Sequence, residues 1–339
     1  LERLPNPVRA SSQKSQNLSV CLNSKPAIIG ASLPMKNVYS NILKVARTDS
    51  TVLVTGETGT GKDLATRAIH INSDRRNKPL VCVNCAAIPD SLVESELFGY
   101  ERGAFTGAFA AKSGLFEAAE SGIIFLDEIG DMTPFAQAKI LRTIEMKKSH
   151  RIGSKSPKVL DFRVIAATNQ DPDQLVSEKK FRKDLYYRLN VARVHMPPLR
   201  DRKEDIPSLI DHYVNHFNQA FGRNVIGFKQ SAIRNMLCYH WPGNVRELKN
   251  IVEVSFINLP AREVDYIDFP EKLKSKIKTI KSLPEHEREK VIAALQATKW
   301  NKSRAAQKLN WSRMTLYRKI AKYEISEKPH PNPSSPMGL

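Results

Sequence analysis

The chain is poor in cysteine, with only Cys21, Cys82, Cys85 and Cys238 in 339 residues. Cys82 and Cys85 have CxxC spacing, but a structural zinc needs four ligands and no second pair stands nearby. The run LVCVNCA reads better as a buried strand and its end, and no disulfide framework is expected. Long apolar runs are also missing. No stretch reaches the length that spans a bilayer, and no charged-then-apolar signal pattern opens the chain. A cytoplasmic protein that does not enter membranes is therefore expected. Internal repeats are absent. Acids are scarce relative to bases: 35 Asp and Glu face 53 Lys and Arg, for a formal charge of +18. Such an excess favours a polyanionic partner, nucleic acid or an anionic membrane face. Fifteen Lys and Arg against four Glu lie between Glu271 and Tyr323, so most of the excess is C-terminal.

The length suggests two or three domains. Residues 1–27 are rich in Ser, Asn, Gln and Pro and read as a flexible arm or linker. The first residue is Leu1 rather than Met, which raises the expectation of an upstream sensor domain. Residues 28–195 alternate short apolar runs with helical patterns. Runs at Thr51–Thr55, Leu80–Val83, Ile123–Leu126 and Arg163–Ala167 read as buried strands, and Asp63–Ile71 and Phe135–Lys147 as helices. That alternation predicts an α/β fold, a parallel sheet flanked by helices. Beyond Met196-Pro197-Pro198 the pattern becomes helical, predicting an all-α lid over 196–262. A basic linker, 263–284, leads to a last helical unit, 285–325. The tail, 326–339, contains four prolines and is expected to be disordered.

Two segments carry nucleotide chemistry. GETGTGKD, Gly56 to Asp63, fits G-x-x-x-x-G-K between a strand and a helix. Gly56, Gly59 and Gly61 let backbone N–H groups approach phosphates, with Glu57, Thr58 and Thr60 completing the loop. The helix N-terminus adds partial positive charge, and Lys62 would reach the β- and γ-phosphates of ATP. Asp63 stands where Ser or Thr usually meets Mg2+, so a magnesium contact there is open to question. IIFLDE, Ile123 to Glu128, reads as a buried strand ending in two acids. Asp127 would hold Mg2+, and Glu128 would polarise the attacking water. A chance glycine turn and a solvated acid pair are the bland alternatives; together the two segments predict an ATPase with ATP and Mg2+ as cofactors.

Between them lies Gly103-Ala104-Phe105-Thr106-Gly107-Ala108. GAFTGA is small, nearly uncharged and offers one aromatic ring, so it reads as a contact tip rather than as part of the nucleotide site. In this context it resembles the bacterial enhancer-binding proteins, AAA+ ATPases that activate sigma-54 RNA polymerase. The resemblance runs from about Ile28 to Ile325. It implies that Gly103 to Ala108 touch the sigma-54 holoenzyme, with a second loop near Lys155–Lys158 supporting them. It implies that Asn84 holds the catalytic glutamate inactive and that Asn169, in AATN, reads the γ-phosphate. FRKDLYYRLNV would carry the arginine finger, Arg188 first and Arg182 second, and WPGNVREL a nucleotide-sensing Arg246. Position 63 is expected to be acidic, though Asp is one methylene shorter than the family's usual Glu. A finger acting on a neighbour implies a closed homo-oligomeric ring, in this family usually a hexamer.

At the C-terminal end, Glu285–Leu295, Lys302–Leu309 and Arg313–Tyr323 form three helical patterns, the second and third separated by a tight break. This describes a helix-turn-helix and resembles the Fis-type DNA-binding domain. Asn310 suits the left-handed turn, and Ser312 can cap the last helix. Ser312, Arg313, Thr315, Arg318 and Lys319 are candidates for the face that meets double-stranded DNA upstream of a promoter, while Leu316 and Ile320 read as core. A basic three-helix protein-interaction module is the alternative for this unit. For the whole chain the rivals are a regulator that has lost polymerase remodelling and an AAA+ unfoldase subunit.

Overall fold

Five apolar, largely β-branched runs assemble into one parallel sheet. Residues 28–260, 262, 264–268, 290–298, 300–309, 311–323 and 325 are described by a computed structural model. The arm 1–27, the linker beyond Asp268 and the tail 326–339 lie outside the described residues. In chain order the strands up to His195 are β1 (Val52–Thr55), β2 (Leu80–Asn84), β3 (Gly99–Tyr100), β4 (Lys112–Ser113), β5 (Ile123–Asp127), β6 (Lys148–Ser149), β7 (Lys158–Val159), β8 (Arg163–Thr168) and β9 (Ala192–His195). The sheet order is β2-β5-β8-β1-β9, every pair parallel.

Alternation along each strand sends side chains to opposite faces. Val52, Val54, Ile123, Phe125, Ile165, Ala167 and Val194 pack with Met35, Val38 and Ile42 of α1 (Leu33–Ala46) and with Ala65 and Ile69 of α2 (Lys62–Ile71). Leu53, Val81, Val83, Ile124, Leu126, Val164 and Ala166 pack on the other face. There they meet α3 (Asp90–Phe98), α4 (Leu115–Ala118), α5 (Pro134–Met146) and α7 (Lys183–Leu189), through Leu97, Phe116, Ile140 and Leu185. A short α6 (Pro172–Ser177) precedes α7. The helical segment that follows contains α8 (Ile206–Phe221), α9 (Gln230–Cys238) and α10 (Asn244–Ile257), with Phe217 and Phe221 ringed against Phe256.

The described residues divide between two compact units. One is drawn from Leu1–Gly227 and Met236–Ile267, the other from Phe228–Asn235 and Asp268–Leu339. In the second, α11 (290–297), α12 (Lys302–Lys308) and α13 (Arg313–Lys322) enclose Val291, Leu295, Ala305, Ala306 and Leu316. None of the described helices is long and apolar enough to cross a membrane.

One buried cation ties the sheet to α1. Arg163, at the start of β8, donates to the carbonyls of Ser50 (3.0 Å) and Val45 (2.7 Å) and points at that of Ala46 (3.5 Å). Burial holds its pKa below the usual arginine value. The carbonyl-rich C-terminal end of α1 compensates, since helix carboxyl ends carry partial negative charge. Arg163→Met keeps an apolar stem but strands these carbonyls. Chemical denaturation should show a loss of about 2–3 kcal/mol, the scale of a charged hydrogen bond whose partner is left buried.

Candidate functional site

Parallel pairing gathers the expected nucleotide residues at one edge of the sheet. β1 ends at Thr55 and turns into the glycine loop. Its neighbour β8 ends at Thr168, beside Asn169, and the next strand, β5, ends at Asp127 and Glu128. Beyond it β2 ends at Asn84, in register with Asp127. Lys62, first residue of α2, is buried; its Nζ donates to the Gly56 carbonyl (3.0 Å) and pairs with Glu128 (3.3 Å). The second Glu128 oxygen accepts from the Asn169 N–H at 2.9 Å, and the Asn169 amide donates to the Thr58 hydroxyl at 3.0 Å. Glu128 adopts a left-handed backbone, φ 52°.

The structure differs here from the expectation for Asn84. Its side chain accepts from the Ala86 N–H at 3.1 Å, closing the turn after β2. The carboxylate of Glu128 is held by Lys62 and Asn169 instead, because those groups reach it from the loop and from the adjacent strand.

The glycine loop is also seated on the segment that opens α10. Asn244, fully buried, donates to Glu57 (3.1 Å) and to the Thr58 carbonyl (3.0 Å) and accepts from the Leu199 N–H (2.7 Å). Arg200 grips Glu57 through two nitrogens, at 2.6 and 2.8 Å, and holds its carboxyl below the usual range. Thr60 offers its carbonyl to buried Arg202. Gly59 has φ +79°, and a Cβ there would lie 2.3 Å from the Gly243 carbonyl, so only glycine fits. Arg246 is exposed beside it, its N–H pointing at the Gly59 carbonyl. The sequence singled out Arg246 but not Asn244, Arg200 or Arg202, whose contacts span more than 140 residues.

Asp63, Asn84 and Asp127 line one cavity of about 170 Å³, with Thr66 and Arg67. Burial, and then the neighbouring Glu128, push the Asp127 carboxyl above its usual range; Lys62 opposes this. Further along, Arg182 is paired with Asp184 at 2.7 Å, whereas Arg188 is exposed in the last turn of α7.

The GAFTGA segment caps a separate hairpin. β3 and β4 pair antiparallel as its stem. Above them the Gly103 N–H donates to the Ala108 carbonyl (2.8 Å) and the Ala108 N–H to the Phe105 carbonyl (3.0 Å). Gly103 and Gly107 have φ +77° and +101°, with open space around each. Thr106 is exposed. Phe105 is 45% exposed and leans edge-on against Tyr100 at 4.9 Å. Ala104 is half-buried. Ala108 is buried, so it closes the loop instead of presenting a contact surface as expected. Phe109, which the hexapeptide omits, is 88% exposed.

The hairpin formed by β6 and β7 supports this stem. Ile152 N–H donates to Gly99 O and Glu101 N–H to Ile152 O, both at 2.9 Å. Arg151 grips buried Glu117 with two nitrogens at 2.7 Å and reaches Glu101 (3.2 Å); Lys158 adds a contact to Glu117. Gly153 in that hairpin faces Ala104.

In the C-terminal unit Asn301 caps α12 and Ser312 caps α13, accepting from the Thr315 N–H at 3.1 Å. The Ser312 and Thr315 hydroxyls also bond each other (2.8 Å), which engages both in the cap. Arg313 and Arg318 are exposed, Lys319 and Ile320 are half-buried, and Leu316 is buried. Asn310 lies outside the described residues.

A nucleotide loop, strand-end acids and a lid seated on that loop define a P-loop ATPase of the AAA+ class. Family models match the chain as a Sigma-54 interaction domain over residues 28–195, an AAA+ ATPase lid domain over 200–286 and a bacterial regulatory protein of the Fis family over 282–323. The transcriptional regulatory protein ZraR of Salmonella typhimurium is 44% identical over 301 residues, 87% of this chain and 68% of that protein. The nitrogen fixation protein AnfA of Azotobacter vinelandii is 42% identical over 319 residues, 90% of this chain and 59% of that protein. A crystal structure of NtrX from Brucella abortus in complex with ATP superposes with a TM-score of 0.70 at 32% identity, covering 88% of this chain and 70% of that one. The chain belongs to the sigma-54-dependent transcriptional regulators, with an ATPase domain and a helix-turn-helix.

The raised Asp127 pKa carries a sign. A carboxyl that binds its proton more tightly folded than unfolded adds stability at low pH, and loses it as pH rises through the folded pKa. At neutral pH the Asp127 carboxylate therefore weakens the fold. Asp127→Asn should raise the melting temperature at pH 7–8, while ATP hydrolysis is lost. Thermal melts at pH 4 and pH 8 check the sign: the gain should shrink at the lower pH.

Proposed function

We propose that this protein is a cytoplasmic, ATP-hydrolysing activator that binds DNA upstream of promoters and remodels the sigma-54 RNA polymerase closed complex through Gly103 to Gly107. The observation that carries the reading is the pairing of an acid-tipped sheet edge with an exposed hairpin tip whose stem is ion-paired to the same core. The glycine loop residues Gly56 to Lys62 cradle the phosphates of ATP. Mg2+ suits the donor set, because Asp127 and Asp63 line one cavity and hard cations take carboxylate oxygens. When bound, it neutralises charge on the β- and γ-phosphates. Glu128 polarises the attacking water, Asn169 reads the γ-phosphate, and Arg246 senses the nucleotide from the lid. Asn84 stands at the cavity that Asp127 also lines.

Arg188 serves a neighbour's site. Arg182 is engaged with Asp184, so it is the weaker candidate for a charge that must reach another subunit. Head-to-tail repetition of that contact closes a ring, with six subunits the expected size. Nucleotide states that favour different tip positions let hydrolysis do work on the polymerase. Arg313, Arg318 and Lys319 meet the DNA, with Ser312 and Thr315 shaping the helix end.

Thr106→Ala tests the tip. Its hydroxyl lies away from the phosphate loop, so ATP turnover should stay within about twofold of wild type, while open-complex formation with sigma-54 holoenzyme falls at least about tenfold, a loss of transition-state coupling near 1.4 kcal/mol. Wild-type levels of open complex would remove the hexapeptide from this role.

Mixing subunits tests the ring. Lys62→Ala subunits and Arg188→Ala subunits should each be inactive alone and regain measurable ATPase when combined, because one supplies the finger and the other the intact loop. Absence of rescue at every ratio, with assembly confirmed by sedimentation, would place the arginine's action within its own subunit.

A further inference from the structure

A continuous line of hydrogen bonds runs from the lid segment to the catalytic acid. It begins at Asn244, which is fully buried and has a left-handed backbone, φ 51°. Its amide nitrogen donates to the Thr58 carbonyl at 3.0 Å. The hydroxyl of the same threonine accepts from the Asn169 amide at 3.0 Å. The Asn169 N–H donates to Glu128 at 2.9 Å, and Glu128 pairs with Lys62 at 3.3 Å. Within this line Thr58 accepts twice, on its backbone carbonyl from Asn244 and on its side-chain hydroxyl from Asn169. One face of it answers to the lid and the other to the strand end.

The joint has little slack. Asn244 also holds Glu57 and Leu199, and Glu57 is gripped by Arg200. The Val245 N–H donates to Gly59 O at 3.0 Å, and Gly59 packs so closely on Gly243 that no Cβ fits. A displacement of residues 241–246 must therefore move the peptide of Thr58. Movement of Thr58 carries its hydroxyl away from Asn169, and the bond that orients Glu128 moves with it.

We propose that Asn244 is a positioning residue which, through Thr58 and Asn169, sets where the Glu128 carboxylate stands. The acid is competent when the lid segment is seated on the phosphate loop and misplaced when it is not. Arg246, two residues further on, links that seating to bound nucleotide. The inference rests on the reading of Glu128 as the water-polarising acid.

The test uses the full-length chain and separates the relay from a mere structural stitch. Thr58→Val removes the hydroxyl but keeps the carbonyl that holds Asn244. It should lower kcat for ATP hydrolysis about tenfold with ATP affinity within about twofold, the signature of a contact made at the chemical step. Thr58→Ser, which keeps the hydroxyl, should restore kcat to within about twofold of wild type. Asn244→Ala should also lower kcat, and the Asn244→Ala, Thr58→Val double variant should lose no more than the worse single variant, because members of one chain are non-additive.

Losses that multiply in the double variant would overturn the proposal, as would full kcat in Thr58→Val. If Asn244→Ala does not fold, judged by its thermal melt, the Thr58→Val and Thr58→Ser pair decides alone. Glu128→Gln separates the two levels of argument. If it hydrolyses ATP normally, the role of Glu128 itself fails. If it is inactive while the Asn244 and Thr58 losses multiply, the catalytic reading stands and only the relay fails.

Discussion

Because β2, β5, β8, β1 and β9 all run parallel, every strand of the sheet leaves it at the same edge. An antiparallel neighbour would have put its outgoing loop on the far side. Four consecutive strand ends thus deliver Asn84, the Asp127–Glu128 pair, Asn169 and the glycine loop within reach of one another, the usual location of ligands in open α/β sheets. The price of that arrangement is a crowded anionic edge. Lys62 answers part of it, buried against Glu128, and the rest appears in the raised pKa of Asp127. The same carboxylate that weakens the fold at neutral pH is the one a divalent cation would find most useful.

The route from that edge to the tip is short in sequence and stiff in structure. From Asn84 the chain makes one tight turn, forms α3 and enters β3 at Gly99. Glu117, buried below the tip, would be costly alone; Arg151 and Lys158 satisfy both of its oxygens and hold its pKa down. Arg151 reaches Glu101 as well, so the stem and its supporting hairpin share one ion-pair network. Above the network stiffness ends: Gly103 and Gly107 stand in open space with left-handed backbones. A rigid stem under a loosely packed tip transmits displacement to the tip without absorbing it lower down.

Much of this was legible in the sequence because the elements carry strong local signals. Four of the five sheet strands, β2, β5, β8 and β1, are apolar runs that lead into candidate site residues, and the helices α2, α5, α8, α12 and α13 have clear apolar spacing. β9 carries no such signal, because an edge strand with Arg193 and His195 exposed lacks a continuous apolar run. α1 is equally faint in the sequence, since only Met35, Val38, Ile42 and Ala46 of its fourteen residues are buried. The site was legible as a set of residues but not as a set of partners. Nothing local says that Asn244 bonds Thr58, that Arg200 pairs with Glu57, or that Glu128 is held by Asn169 rather than by Asn84. Phe105 looked like the exposed ring because it lies inside the motif, yet Tyr100 covers part of it and Phe109 is the more exposed.

The backbone itself marks where local preference was overruled. Among the described residues seven non-glycine positions have positive φ, and Glu128, Trp241 and Asn244 are three of them. Asparagine tolerates that region; glutamate and tryptophan do so only when their surroundings over-determine them, at a cost of about 1–3 kcal/mol each. Here the surroundings are identifiable. Trp241 is fully buried and its indole N–H donates to the Met236 carbonyl at 2.8 Å. Glu128 is held from two sides by Lys62 and Asn169. Strained positions that cluster around one phosphate loop are hard to explain by folding alone, since a sheet edge with relaxed turns would be more stable. They are explained if the loop, the acid and the lid must hold a single mutual geometry, and if that geometry is what the nucleotide changes.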